Sequence, residues 1–167
     1  MAARTLILLR HAKAEPEGDL GDELRPLAAK GRRQAPGVGR LLRDEVGGVD
    51  VALVSTALRT RETFKLLAAE LPAPDPTLVA DLYQAGPRQV LAMLRELDDA
   101  ARTVLVVGHE PTISGLAYLL HGAKDSLAQQ VSLGISTATS CLISVPGRWA
   151  DLDRGAAQLV RVLRPED

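Results

Sequence analysis

Thr5-Leu6-Ile7-Leu8-Leu9-Arg10-His11-Ala12-Lys13 is the stretch that decides the fold. Residues 5–9 are uninterrupted by charge, the pattern of a strand buried on both faces. Charge then begins abruptly at Arg10. The same design recurs at residues 51–54, which lead into Ser55-Thr56, and at residues 103–107, which lead into Gly108-His109-Glu110-Pro111. Between these runs, residues 27–46 read as a helix, with Pro36, Gly37 and Gly39 predicting a kink or break inside it and Gly47-Gly48 a stop. Ser55-Thr56 offers N-cap chemistry for a helix running to about residue 71. Residues 72–76 form a proline-punctuated loop, residues 78–82 a short strand, and Pro87 opens a helix through residue 97. A further helix is predicted over 112–120, strands over 140–145 and 158–163, a loop over 122–139, and a frayed or exposed tail over 164–167. Strands alternating with helices predict a three-layer α/β/α sandwich around a mostly parallel sheet.

Composition narrows the classes. The 167 residues suit one domain, residues 1–167, with a core of its own. Only 2% of the chain is aromatic, which removes the stacking platforms of single-strand nucleic-acid binders. A formal net charge of -1 argues against a broad basic footprint, so nucleic acid is not an expected partner. Any anion specificity has to come from a few local cations. The single cysteine, Cys141, has no intramolecular disulfide partner and suits a reducing compartment. The short apolar run after Arg4 is neither a secretory leader nor a membrane span. The expectation is a cytoplasmic protein without a membrane partner.

Ligands of open α/β sheets bind beyond the carboxyl ends of the strands. Arg10, His11 and His109 sit directly at such ends, and Arg59 follows one turn after the second strand. Two guanidiniums and two imidazoles around one crevice make a site for a dianionic phosphoryl group, because guanidinium donors match phosphate oxygens. The helix after Ser55 adds backbone N–H groups and its dipole. Lys13 and Arg25 fit either the pocket mouth or ordinary surface charge. Arg61 and Glu62 read as a solvated helix face, His121 as a helix-end residue, and Cys141 as inert core. No zinc-ligand spacing, Walker loop or dinucleotide fingerprint is present.

Leu9-Arg10-His11-Ala12, Ser55-Thr56-Ala57-Leu58-Arg59-Thr60-Arg61-Glu62-Thr63 and Gly108-His109, in this order, resemble the histidine phosphatase (phosphoglycerate-mutase-like) superfamily. Arg25-Pro26-Leu27 followed by Gly31, Leu82-Tyr83, Gly108-His109-Glu110-Pro111, Trp149 and Leu163-Arg164-Pro165 resemble its SixA branch of phosphohistidine phosphatases. The resemblance covers nearly the whole chain. It implies that His11 attacks phosphorus in line with the leaving group, that Arg10, Arg59 and His109 neutralise the phosphoryl oxygens, and that neither metal nor other cofactor takes part. For His11 to act, a backbone carbonyl must hold one ring nitrogen protonated so that the other presents its lone pair.

The chain departs from the wider family at the general acid. Many members carry a Glu where this sequence has Leu82-Tyr83-Gln84, and others an Asp directly after the second histidine, where Glu110 stands. Glu110 is therefore a candidate acid, with Asp81 nearby. An alkoxide leaves poorly without a proton, whereas a phosphorylated, ring-protonated imidazole leaves as neutral imidazole. That difference favours phosphohistidine on a protein as substrate. A small phosphate ester is the alternative. Two other classes use the same residues: a phosphate-binding module without turnover, and a metal-dependent hydrolase with His11, His109 and Glu110 as ligands. The shortage of further histidines or clustered carboxylates speaks against the latter.

Overall fold

The structure, a computed structural model, describes residues 2–166. The apolar run after Met1-Ala2-Ala3 forms strand β1, Arg4–Arg10, followed by helix α1, Ala29–Val46, and β2, Val51–Ser55. Helix α2, Leu58–Leu67, leads to the short β3, Thr77–Val79, and α3, Pro87–Arg95. Then come β4, Thr103–Gly108, α4, Thr112–Leu120, α5, Ser126–Ser132, β5, Ser140–Val145, and β6, Gln158–Leu163. The six strands form one sheet in the order β3-β2-β4-β1-β5-β6. The first four run parallel to one another, whereas β5 pairs antiparallel with both β1 and β6.

Alternation along β1 splits the core into two layers. Leu6 and Leu8 pack with Val90, Leu94, Ile113, Leu116 and Trp149, whereas Ile7 and Leu9 pack with Val38, Leu42, Phe64 and Leu67. Helices α3 and α4 thus cover one face and α1 and α2 the other, giving the predicted three-layer α/β/α sandwich. Trp149, fully buried, anchors one face through its indole N–H, which donates to Ala101 O at 2.8 Å.

Several local expectations are corrected. Helix α1 runs unbroken through Pro36, because Ala35, Val38 and Leu42 are buried against the sheet and α2 and tertiary packing outweighs the proline cost. Its glycines mark close approach instead: a Cβ on Gly31 would lie 2.0 Å from Lys13 O, and one on Gly39 2.4 Å from Leu67 O. Residues 80–83 form a 3-10 turn rather than the end of a strand. Helices α2 and α3 stop at Leu67 and Arg95, short of the predicted ends. The expected loop over 122–139 contains α5, started by Asp125, whose carboxylate accepts from Ala128 N. The tail is held as far as Pro165: Pro165 is buried, its ring lies against Gly37, and Arg164 Nε donates to Thr137 O at 3.2 Å. Asp167 lies outside the described residues.

Candidate active site

Register places the site. β1 and β4 run side by side with Arg10 opposite Gly108, so His11 and His109 leave the sheet at the same level. Their ring centroids are 5.5 Å apart, and His11 N donates to Gly108 O at 3.2 Å. On the other side of β4, β2 pairs Val54 with Val107 and ends at Ser55, one turn before Arg59 on α2. The antiparallel return of β5 brings the preceding loop back over these ends: Ala138 N donates to both Arg10 O and His11 O, and Arg10 donates to Ile135 O at 2.8 Å.

The loop after His11 is clamped from two helices. Thr63 of α2 accepts from Ala12 N and donates to Arg59 O, while Gln34 of α1 accepts from Lys13 N. His11 Nδ1 lies 2.7 Å from Ala12 O. A carbonyl only accepts, so Nδ1 carries the proton and Nε2 keeps its lone pair. His109 is fixed from its other side, with Nε2 2.8 Å from Ser55 Oγ. Ser55 Oγ also accepts from Ala57 N; when its hydroxyl hydrogen is donated to His109 Nε2, the neutral ring carries its proton on Nδ1.

His11, Arg59 and His109 are only 7%, 6% and 9% exposed. Burial, with smaller contributions from His109, Arg59 and Arg10, pushes His11 down to about 3, against the opposing pull of the Ala12 carbonyl. Burial, then Arg59, pushes His109 down to about 4. Both imidazoles are neutral near pH 7. Arg10 Nε, Arg59 Nε and His109 Nδ1 are buried without a protein partner. Buried polar groups are nearly always paired, and these three unpaired atoms on three converging elements fit a site that takes a polar ligand.

Arg10, His11, Arg59 and His109 therefore come together as the sequence predicts. Arg25 stands close by: its guanidinium donates to Asp22 Oδ1 at 3.1 Å and to Glu15 O at 2.7 Å, and its charge reaches His109. Lys13 is exposed, with its backbone rather than its ammonium engaged at Gln34. Glu110 accepts from Ser114 N, Ser114 Oγ and Ile135 N at 2.8, 2.7 and 3.1 Å. Its carboxylate braces the start of α4 and the returning loop. Glu62, expected on a solvated face, instead accepts from Leu27 N at 2.8 Å and ties α2 to the chain leading into α1. His121 is structural, bridging Asp125 and Leu159 N. Cys141 is fully buried, its thiol pushed up to about 12 by burial.

Sequence reasoning missed Asp22, Tyr83 and the partnership of Ser55 with His109. Asp22 sits in a 3-10 turn, Asp22–Leu24. Arg59 donates to its carboxylate at 3.1 Å and to its backbone O at 2.8 Å, and the Tyr83 hydroxyl donates to the same carboxylate. Tyr83 in turn meets the His109 ring edge-on at 5.6 Å and lies under Arg59 at 5.9 Å. Tyr83 entered the sequence reading only within the motifs of the resemblance and Arg25 as a candidate for the pocket mouth, and the three-residue spacing of Asp22 and Arg25 was the one local hint that they meet. Among the described residues no group of three or more His, Cys, Asp or Glu is arranged to hold a metal ion, and no helix is long and apolar enough to cross a membrane.

Known proteins share the fold and the family. Residues 6–83 match the histidine phosphatase superfamily (branch 1). An uncharacterized protein of Mycobacterium tuberculosis is 37% identical over 155 residues, covering 91% of this chain and 96% of the relative. The structure of a candidate phosphohistidine phosphatase SixA from Nakamurella multipartitia superposes with a TM-score of 0.86 at 34% identity, covering 99% of this chain and 98% of the other. The protein histidine phosphatase SixA complexed with tungstate shares the fold at a TM-score of 0.81 and 20% identity, covering 96% and 97% of the two chains. The chain belongs to the histidine phosphatase superfamily, in its SixA-type branch, and its activity class is that of a phosphatase.

Proposed function

We propose that the protein hydrolyses phosphohistidine on a protein substrate through a phosphoryl group carried transiently on His11. One observation carries the reading: His11 Nδ1 is tied to Ala12 O while Nε2 makes no protein hydrogen bond, with the His109 ring 5.5 Å away and the charges of Arg59 and Arg10 acting on the imidazole. A neutral nucleophile of fixed tautomer thereby faces three donor groups suited to phosphoryl oxygens.

In the first step the Nε2 lone pair of His11 forms a bond to phosphorus as the bond to the leaving nitrogen breaks. The electron pair goes to that nitrogen. A leaving imidazole protonated at its other ring nitrogen departs neutral, and no acid is required. In the second step water attacks phosphorus and the P–Nε2 electron pair returns to His11. One water hydrogen stays on inorganic phosphate and the other passes to solvent. Arg10, Arg59 and His109 Nδ1–H hold the oxygens throughout, so positioning and electrostatics supply the catalysis.

The choice of a nitrogen leaving group rests on the local carboxylates. Asp22 is the one that touches Arg59, and the Tyr83 hydroxyl first, then Arg25 and Arg59, hold it down at about 2. It is ionised near neutral pH and has no proton to give an alkoxide. Glu110 is engaged by three donors, which suits a brace better than a proton source. Lys13 and Arg25 fit recognition of the protein around the phosphoryl group.

Wild type and His11→Ala compared on a phosphorylated histidine-containing protein, with an aryl phosphate as control, test the proposal. Wild type should show the higher kcat/KM on phosphohistidine, and His11→Ala should lose on the order of 10⁴-fold while remaining folded. Faster hydrolysis of simple phosphate esters would contradict the substrate assignment, and undiminished turnover by His11→Ala the mechanism. Vanadate binding without turnover of either substrate would instead indicate a binding module.

A further inference from the structure

The feature left unexplained by the mechanism is a carboxylate placed on a phosphate-binding arginine. Asp22 takes two hydrogen bonds from Arg59, one at its side chain and one at its backbone carbonyl, and a third and fourth from Arg25 and Tyr83. A dianionic substrate entering beside Arg59 meets a charge of its own sign within one guanidinium's width. Left as it is, this arrangement weakens phosphate binding, since like charges at close range repel.

The neighbouring surface has the same sign. Tyr83 also walls a cavity of about 410 Å³ whose other lining residues are Glu23, Ala80, Asp81, Gln84, Ala85 and Gln89. Two carboxylates and two amides line it, with no cationic side chain. A leaving group bearing carboxylates or a second phosphate is repelled there. One bearing a positive N–H finds acceptors.

We propose that Asp22 is a specificity-determining residue that selects substrates whose phosphoryl group is bonded to a protonated nitrogen heterocycle. The inference rests on the phosphohistidine reading above and names the residue that enforces it. When the phosphoryl dianion draws Arg59 onto its oxygens, the Asp22 carboxylate loses part of its guanidinium partnership. The N–H⁺ of a phosphoimidazolium ring takes that place. The ion pair keeps the distal ring nitrogen protonated while the P–N bond breaks, the bond's electron pair passes to the departing nitrogen, and the ring leaves as neutral imidazole still bearing its distal proton. An ester oxygen brings no such donor, so it meets only the repulsion.

The experiment compares kcat/KM for phosphoimidazole with kcat/KM for an aryl phosphate in wild type and Asp22→Asn. It also measures vanadate affinity in both. Removing the charge should lower the phosphoimidazole value about tenfold, the effect of one charge-assisted contact. The aryl ester value should rise a few-fold, and vanadate should bind a few-fold more tightly. The ratio of the two substrates is the diagnostic. A ratio unmoved by the substitution, or an equal fall on both substrates with no gain in vanadate affinity, overturns the role and leaves Asp22 as loop structure. If Asp22→Asn does not fold, Asp22→Ser carries the same expectations. A wild type that prefers the ester overturns the phosphohistidine reading instead, and the change in ratio on substitution still decides the part played by Asp22.

Discussion

A buried imidazole ready to act as a nucleophile has to resist protonation, and His11 and His109 both do. Burial and the surrounding guanidiniums hold them down at about 3 and about 4. In the unfolded chain each titrates near the usual value of about 6.5. Between that value and the native ones the unfolded state binds more protons, so stability is full above about 6.5 and falls as the pH drops through this window. An imidazole NMR titration should show both rings neutral down to pH 5, in parallel with loss of stability in denaturant on acidification. A midpoint near 6.5 for either ring would contradict the environment described. At this scale the four site residues were legible in the sequence because each follows an apolar run or lies one turn beyond it. Asp22 was not. Its contact with Arg59 spans 37 residues and depends on the path of the polar loop over 14–28, which no periodicity encodes. The Ser55–His109 pair was hidden for another reason: Ser55 suits an N-cap equally well, and only the structure shows Ala57 taking that position.

Elements were read better than their ends. β5, β6 and α4 match the predicted spans, because each is an apolar stretch with clear punctuation. Helix α1 was misjudged at Pro36, Gly37 and Gly39, since those residues answer to neighbours distant in sequence. Gly31, which the sequence reading gave no structural role, is the instructive case. Its Cα lies against the backbone of Lys13, two residues from His11, where Ala28 N also donates to Lys13 O at 2.9 Å. Helix α1 is thus a wall against which the loop after His11 is pressed. Gly31→Ala should cost about 1–3 kcal/mol through overpacking and should lower kcat/KM as well, because the loop has to move. Denaturant unfolding and steady-state kinetics on the purified variant check both. Unchanged stability together with unchanged kinetics would show that the contact is slack.

The whole molecule works by convergence. Three parallel strands end at one level, α2 supplies Arg59 from the helix after β2, and the antiparallel return of β5 closes the loop over Arg10 and His11. The site lies where open α/β sheets generally place their ligands, and it gathers residues from positions 10 to 109 into one frame. That frame was legible because buried parallel strands leave so strong an apolar signature. The sequence also favoured a phosphohistidine substrate from Gln84 and Glu110, but not the carboxylate of Asp22 on Arg59, since that contact depends on how a polar loop folds over the site. The most direct test follows the phosphoryl group itself. Protein mixed with a radiolabelled phosphohistidine substrate and quenched in alkali during turnover should carry label on His11 at Nε2, located by peptide mass spectrometry, and His11→Ala should carry none. Turnover with no labelled enzyme, or with label on a different residue, would contradict the account.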